Sequence, residues 1–278
     1  MQIISDPIQM QRVSRELRRS KRIGFVPTMG ALHAGHLSLM KMARSQSDAV
    51  VASIFVNPLQ FGPTEDFSKY PRTFERDCQL LEAERVDFVF APSKEAMYPA
   101  GAVTAVEVAG LSERLDGRSR PGHFKGVTTV VAKLFGIVQP DRAFFGQKDA
   151  AQVAIIRRMV RDLNFDVEIV VCPIVRESDG LAMSSRNVYL DPQQRREALV
   201  LSRALNRIQF LCDKGEKNAA SLITAGKEVV AEEPGAKLDY LEIVNPDSLE
   251  PVADVSKGAL VAIAAWVGST RLIDNVVL

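Results

Sequence analysis

Two of the chain's three histidines, His33 and His36, close the stretch Gly24-Phe25-Val26-Pro27-Thr28-Met29-Gly30-Ala31-Leu32-His33-Ala34-Gly35-His36. Residues three apart share a face on a first helical turn. Imidazoles placed there can donate hydrogen bonds to phosphate oxygens and help neutralise charge growing on a leaving group. The apolar run over 23–26 reads as a strand, Gly30 as part of a turn, and a helix begins near His36. Such a strand, turn and helix place free backbone N–H groups and a positive helix end together, a ready site for anionic oxygens. Gly30 and Gly35 let the main chain approach a ligand closely. A loop with two structural histidines is the plainer alternative.

Other clusters have their own chemistry. Asn57 and Gln60 follow a strand expected over 49–56, where ligands bind in open α/β sheets. Their amides donate and accept, which suits a ligand bearing hydroxyl and carboxylate groups; Asn57-Pro58 is also a turn signal. Gly146-Gln147-Lys148-Asp149 follows a short strand and opens a helix. Lys148 can meet phosphate as a point charge and Asp149 can accept from ribose hydroxyls, or the pair is a surface salt bridge or helix cap. After the turn signal Asp179-Gly180, the run Met183-Ser184-Ser185-Arg186-Asn187 is a polyphosphate clamp or a solvated loop, since arginine's fork matches phosphate oxygens. His123, in Arg120-Pro121-Gly122-His123-Phe124, is a candidate for catalysis but reads better as structural or as ordering its loop. Glu65, Asp66 and Asp77 are candidates for aiding magnesium, but read better as surface acids or caps, because magnesium usually reaches such sites on ATP phosphates.

The elements that must position these groups alternate. Helices are expected to about residue 19 and over 37–44, 74–84, 128–138 and 150–163, with strands over 23–26, 49–56, 88–91, 143–145 and 167–171. Strands separated by helices of this length make right-handed βαβ units and a parallel sheet. Beyond Pro173 the pattern becomes two helices, over 193–212 and 219–232, then extended stretches over 238–244, 259–267 and 270–276. The expected fold class is α/β: a Rossmann-like nucleotide-binding domain over 1–175 and a smaller α+β domain over 176–278.

Composition narrows the function. The 278 residues carry 35 basic and 34 acidic side chains, a net +1, so no strong field exists to hold nucleic acid or an acidic membrane. The longest apolar run, over 259–267, is far short of the roughly 20 residues a membrane span needs. Cys78, Cys172 and Cys212 lie far apart and suggest buried thiols in a reducing compartment. The expectation is a soluble cytoplasmic protein without a signal peptide.

His33-Ala34-Gly35-His36 has the HxGH form of the nucleotidylyltransferase superfamily, and the longer string from Pro27 to His36 is similar to the pantothenate synthetase family. Four more segments agree in order: Phe55 to Phe61 running on to Tyr70-Pro71-Arg72, Arg120 to Gly126, Gly146 to Asp149, and Met183 to Asn187. The resemblance spans most of the first 190 residues. It implies an ATP-dependent ligase in which the carboxylate of (R)-pantoate attacks the α-phosphorus of ATP, and β-alanine then displaces AMP. By resemblance the nucleotide contacts are Met29, Gly30, Ala31, Leu32, His33, Ala34, Gly35, His36, Gly146, Gln147, Lys148, Asp149, Val175, Met183, Ser184, Ser185 and Arg186. Gln60 and Gln152 hold pantoate, and Asn57 is added to the substrate site from its position. His33, His36, Lys148 and Arg186 are assigned to catalysis, with His36 as the proton donor, Mg2+ as helper and a homodimer as the assembly. One departure is Ala150-Ala151, where larger or polar residues are common in the family. A nucleotidyltransferase acting on another small acceptor and a non-catalytic ATP-binding regulator are the competing readings.

Overall fold

The structure, a computed structural model, describes residues 1–63, 65 and 67–278. Its first unit is built on six strands: β1 (Gln2–Ile4), β2 (Ile23–Thr28), β3 (Ala49–Ile54), β4 (Phe88–Phe90), β5 (Arg142–Gly146) and β6 (Glu168–Cys172). They pair in parallel in the order β1-β4-β3-β2-β5-β6. Parallel strands need covered faces, and the central ones are buried: Phe25, Val26, Val51, Ala52, Ala143 and Phe144 are all fully enclosed. Each large apolar side chain hidden this way contributes about 1.5–3 kcal/mol. Helices Pro7–Leu17, Ala34–Gln46, Phe74–Ala83, His123–Val138 and Ala150–Asp162 connect the strands. The first opens as Asp6-Pro7 suggests, with the Asp6 carboxylate accepting from the Gln9 amide at 2.6 Å.

The sheet has a switch point. From β2 the chain winds outward through β3 and β4, and from β5 it winds the other way to β6. The carboxyl ends of β2 and β5 therefore lie side by side at that point, the place where doubly wound sheets take ligands.

The expected strands of this sheet all form. The three-residue edge strand β1 was not anticipated, being too short to show a pattern.

The second unit is helical and then extended, as expected, and its strands pair antiparallel. Strands β7 (Ala236–Val244), β8 (Leu260–Val267) and β9 (Thr270–Val277) form a meander in the order β7-β8-β9. The single helix expected over 193–212 is instead two, Pro192–Ala198 and Val200–Asp213, which meet at Leu199. The near-continuous apolar run of β8 has a physical reason, because both faces of the strand are covered. Val261, Ile263 and Ala265 pack with Leu205, Ile208 and Leu222 from the helices. Leu260, Ala262 and Ala264 join the core of the first unit. Among the described residues no helix is long and apolar enough to cross a membrane.

Candidate active site

Thr28 ends β2, and the chain then turns tightly. Gly30 has φ +81° and Ala31 φ +51°, a left-handed pair that only glycine adopts without cost. Asp77, buried in the helix Phe74–Ala83, holds this turn. Its carboxylate oxygens accept from the backbone N–H groups of Ala31 and Leu32, each at 2.9 Å, and from the Thr73 hydroxyl at 3.1 Å. Asp77 is thus a buried anchor for the turn rather than a surface acid. No signal in the sequence joins it to a turn 45 residues away.

The two histidines cap the helix that follows. His33 Nδ1 accepts from the Gly35 amide at 3.1 Å, and His36 Nδ1 accepts from the His33 amide at 3.3 Å. The Gly30 amide donates to the Thr28 hydroxyl at 3.1 Å. The amides of residues 30–33 and 35 are therefore satisfied inside the turn, which corrects the expectation of free backbone N–H groups there. With both Nδ1 atoms accepting, the proton of each neutral imidazole sits on Nε2. Burial lowers the His33 pKa to about 4, helped by the nearby positive charge of Lys148. Burial, then His33, lowers that of His36 to about 3. Ring centroids 4.1 Å apart complete the pair.

From the adjacent strand β5, Gly146 leads into the short turn Gln147–Asp149, and the Lys148 ammonium lies 3.4 Å from Asp149 Oδ1. Both charges act on the two imidazoles, so the turns leaving β2 and β5 form one electrostatic site. A cleft of about 690 Å³ is lined by Lys148, Asp149, Gln152, Ser184 and Arg186, with Arg120 and His123 on its wall. His33 and His36 do not line this cleft. A second cavity of about 310 Å³ is bordered by Met29 and Gly30. Met183 comes against the histidine turn, since a Cβ on Gly35 would lie 3.7 Å from its Cβ. Its amide donates to the Val175 carbonyl at 3.0 Å, joining two expected nucleotide segments. The loop of Ser184–Arg186 is not merely solvated. Ser185 Oγ stands 3.4 Å from the Tyr70 hydroxyl, and Ser184 Oγ accepts from the Arg186 amide at 3.3 Å. The small Ala150 and Ala151 are buried at the start of the next helix.

Asn57 sits at the end of β3 as expected, but its side chain is fully employed. It donates to Gln60 Oε1 at 3.1 Å and to the Gly126 carbonyl at 3.0 Å, and it accepts from the Tyr98 hydroxyl and the Leu59 amide. All four positions of the amide are filled, so Asn57 fixes Gln60 and has nothing left for a substrate. His123 orders the same loop. Arg120 can only donate, so the 3.0 Å contact makes His123 Nε2 the acceptor, and Nδ1 donates to the Gln60 carbonyl at 2.8 Å. Arg120 is held in turn by Glu65, at 2.6 and 2.8 Å. Asp66 lies outside the described residues. Among those described, no group of three or more histidines, cysteines or acids is placed to hold a metal.

A family model described as Pantoate-beta-alanine ligase matches residues 2–277. The chain belongs to this family. Pantothenate synthetase of Koribacter versatilis is 66% identical over 279 residues, covering 100% of this chain and 96% of that protein. Its counterpart from Thermotoga neapolitana is 57% identical, covering 100% of both. The crystal structure of pantothenate synthetase from Thermus thermophilus matches with a TM-score of 0.94 at 50% identity, over 99% of each chain. A Francisella tularensis pantoate-beta-alanine ligase, complexed with beta-gamma ATP and beta-alanine, matches with a TM-score of 0.79 at 36% identity, over 99% of this chain and 97% of that one. The two-unit α/β architecture is therefore that of the pantoate–β-alanine ligases.

Proposed function

We infer that this chain joins (R)-pantoate to β-alanine at the expense of ATP, releasing AMP and pyrophosphate. The observation that carries this reading is the meeting of the His33/His36 turn and the Lys148 turn at the carboxyl ends of adjacent strands, in a chain of this family. A carboxylate has no leaving group an amine can displace at neutral pH. ATP solves this. A pantoate oxygen attacks the α-phosphorus, the bond to pyrophosphate breaks, and pantoyl adenylate results. The β-alanine nitrogen then forms the amide bond at the acyl carbon, AMP leaves, and the nitrogen loses its proton.

The protein's work in this scheme is alignment and charge stabilisation. His33 and His36 offer Nε2–H groups to phosphate oxygens. Burial holds the His36 imidazole neutral in the free protein, so it meets the phosphates as an Nε2–H donor. Lys148 and Arg186 balance the charge that gathers as pyrophosphate departs. Gln60 and Gln152 orient pantoate, and Asn57 and His123 orient Gln60. The remaining residues from Met29 to Gly35, with Gly146, Gln147, Asp149, Val175 and Met183 to Ser185, surround the nucleotide. No cage among the described residues suits magnesium, so Mg2+ enters on the triphosphate as part of the substrate. Residues 176–278 act as the smaller unit that carries Ser184–Arg186 over the nucleotide, keeping water from the adenylate. Homodimer assembly belongs to the same proposal and rests on the family resemblance, and a cytoplasmic location rests on the scattered cysteines.

The test is a mixture of ATP, pantoate and β-alanine. AMP release that requires both acids is the expected result. Pyrophosphate release without AMP would instead mark a nucleotidyltransferase, and tight nucleotide binding with no AMP under any combination overturns the ligase reading.

A further inference from the structure

The β5 turn that carries Lys148 makes its most specific contacts with the far end of the chain. Asn275, on β9 and 3% exposed, donates through Nδ2 to the carbonyls of Gln147 and Lys148, both at 2.9 Å. Its Oδ1 accepts from Gln147 Nε2 at 3.0 Å. The preceding residue, Asp274, is equally buried and takes the Arg176 guanidinium in a two-pronged pair at 2.6 and 2.9 Å. Arg176 adjoins Val175, whose carbonyl receives Met183.

A three-residue 3-10 turn makes few bonds of its own, so the two carbonyl contacts from Asn275 are a large share of what fixes it. An apolar residue on β9 could have docked the two units without burying an amide. Burying one is favourable only if its bonds are made, and here three of them go to a single pair of residues. We propose that Asn275 is a positioning residue for Lys148: by holding the carbonyls of Gln147 and Lys148 it aims the ammonium at the departing phosphates, with Asp274 fixing the neighbouring Arg176 segment from the same strand. This rests on the role given to Lys148 above. It also explains how the smaller unit shapes the nucleotide site through a residue that lines neither of the two cavities described above.

The experiment uses the full chain and separates the half-reactions. Asn275→Ala is expected to lower pantoate-dependent ATP–pyrophosphate exchange about a hundredfold, the scale of an ångström's misplacement of a catalytic group. Aminolysis of supplied pantoyl adenylate by β-alanine should stay within about threefold, because Lys148 is needed only while pyrophosphate leaves. In a Lys148→Ala background the same change should cost no more than about threefold further, since residues that act as a unit are not additive. Asn275→Leu keeps the branched outline of the side chain without its hydrogen bonds and gives the same pattern if the alanine variant folds poorly. Equal loss in both half-reactions, or an undiminished further loss without Lys148, overturns the proposal as a purely structural effect. Normal exchange in Lys148→Ala alone overturns it differently, by removing Lys148 from the mechanism.

Discussion

The His33 amide donates to Nδ1 of His36 at 3.3 Å, so each histidine of the pair helps set the other's place. The cap uses Nδ1 and leaves Nε2 for the ligand, which means the two nitrogens can be tested separately. In His36→Asn the amide oxygen falls near the position of Nδ1 and can keep the cap. In His36→Gln the longer amide places an N–H near the position of Nε2. Turnover should fall at least about a hundredfold in His36→Ala and His36→Asn, the scale of a lost charge stabiliser. His36→Gln should recover part of it. Thermal melting should rank them differently, with His36→Asn nearest the parent protein.

The low imidazole pKa values give a pH signature. His33 and His123 lie near 4 and His36 near 3, all lowered mainly by burial. An unfolded histidine takes up its proton near pH 6.5. Between that pH and the folded values, the unfolded state binds more protons than the native state, so stability must rise with pH. Above about pH 6.5 all three are neutral in both states and their contribution is constant. Melting temperature should therefore fall as pH drops from about 6.5 toward 4, and His123→Asn should flatten the slope by about one proton. A profile without slope in that window contradicts the buried neutral imidazoles.

Asp77 offers a stability test. Replacing it with alanine leaves the Ala31 and Leu32 amides unpaired in a buried turn, a loss of about 2–6 kcal/mol at roughly 1–3 kcal/mol per group. Activity should fall as well, because the turn's left-handed backbone at Ala31 would relax. Urea unfolding of Asp77→Ala beside Asp77→Asn, which keeps one acceptor, measures it. Equal stability of both with the parent would remove Asp77 as the anchor.

Much of this was readable in the chain itself, for reasons that differ by residue. His33 and His36 declare themselves by their spacing, and the parallel sheet by strands spaced with helices. β8 revealed its apolar run, although its burial on both faces is a tertiary fact. What escaped depends on contacts between distant segments. Asp77 looks like any helix-face acid until the turn at Ala31 is laid against it. Asn275 looks like an ordinary strand residue until β9 meets the Gln147 turn. Asn57 was placed correctly in space, but its hydrogen-bonding capacity is consumed by Tyr98 and Gly126, which the local sequence cannot reveal. The donors of the histidine turn were misjudged for the same reason, since Asp77 and Nδ1 atoms occupy them first.

Gly35 separates activity from stability by sign. A Cβ there would lie 2.8 Å from His33 Cε1 and 2.9 Å from its Nδ1, closer than such atoms pack, while the surrounding helix Ala34–Gln46 would accept alanine readily. Alanine in a helix is favoured over glycine by up to about 1 kcal/mol. In Gly35→Ala the imidazole must therefore swing away, which gives up the Gly35 amide and turns Nε2 off its line. Helical propensity offsets the lost cap. The expected outcome is a melting temperature near that of the parent, with kcat/KM for ATP lower by about tenfold or more. Nitrogen-15 chemical shifts of His33 follow the cause directly, because losing the Nδ1 acceptor role releases the ring from its single tautomer. A variant with unchanged kcat/KM would mean that the position of His33 does not matter to the nucleotide, and the Nε2–H of that ring would lose its place in the reaction.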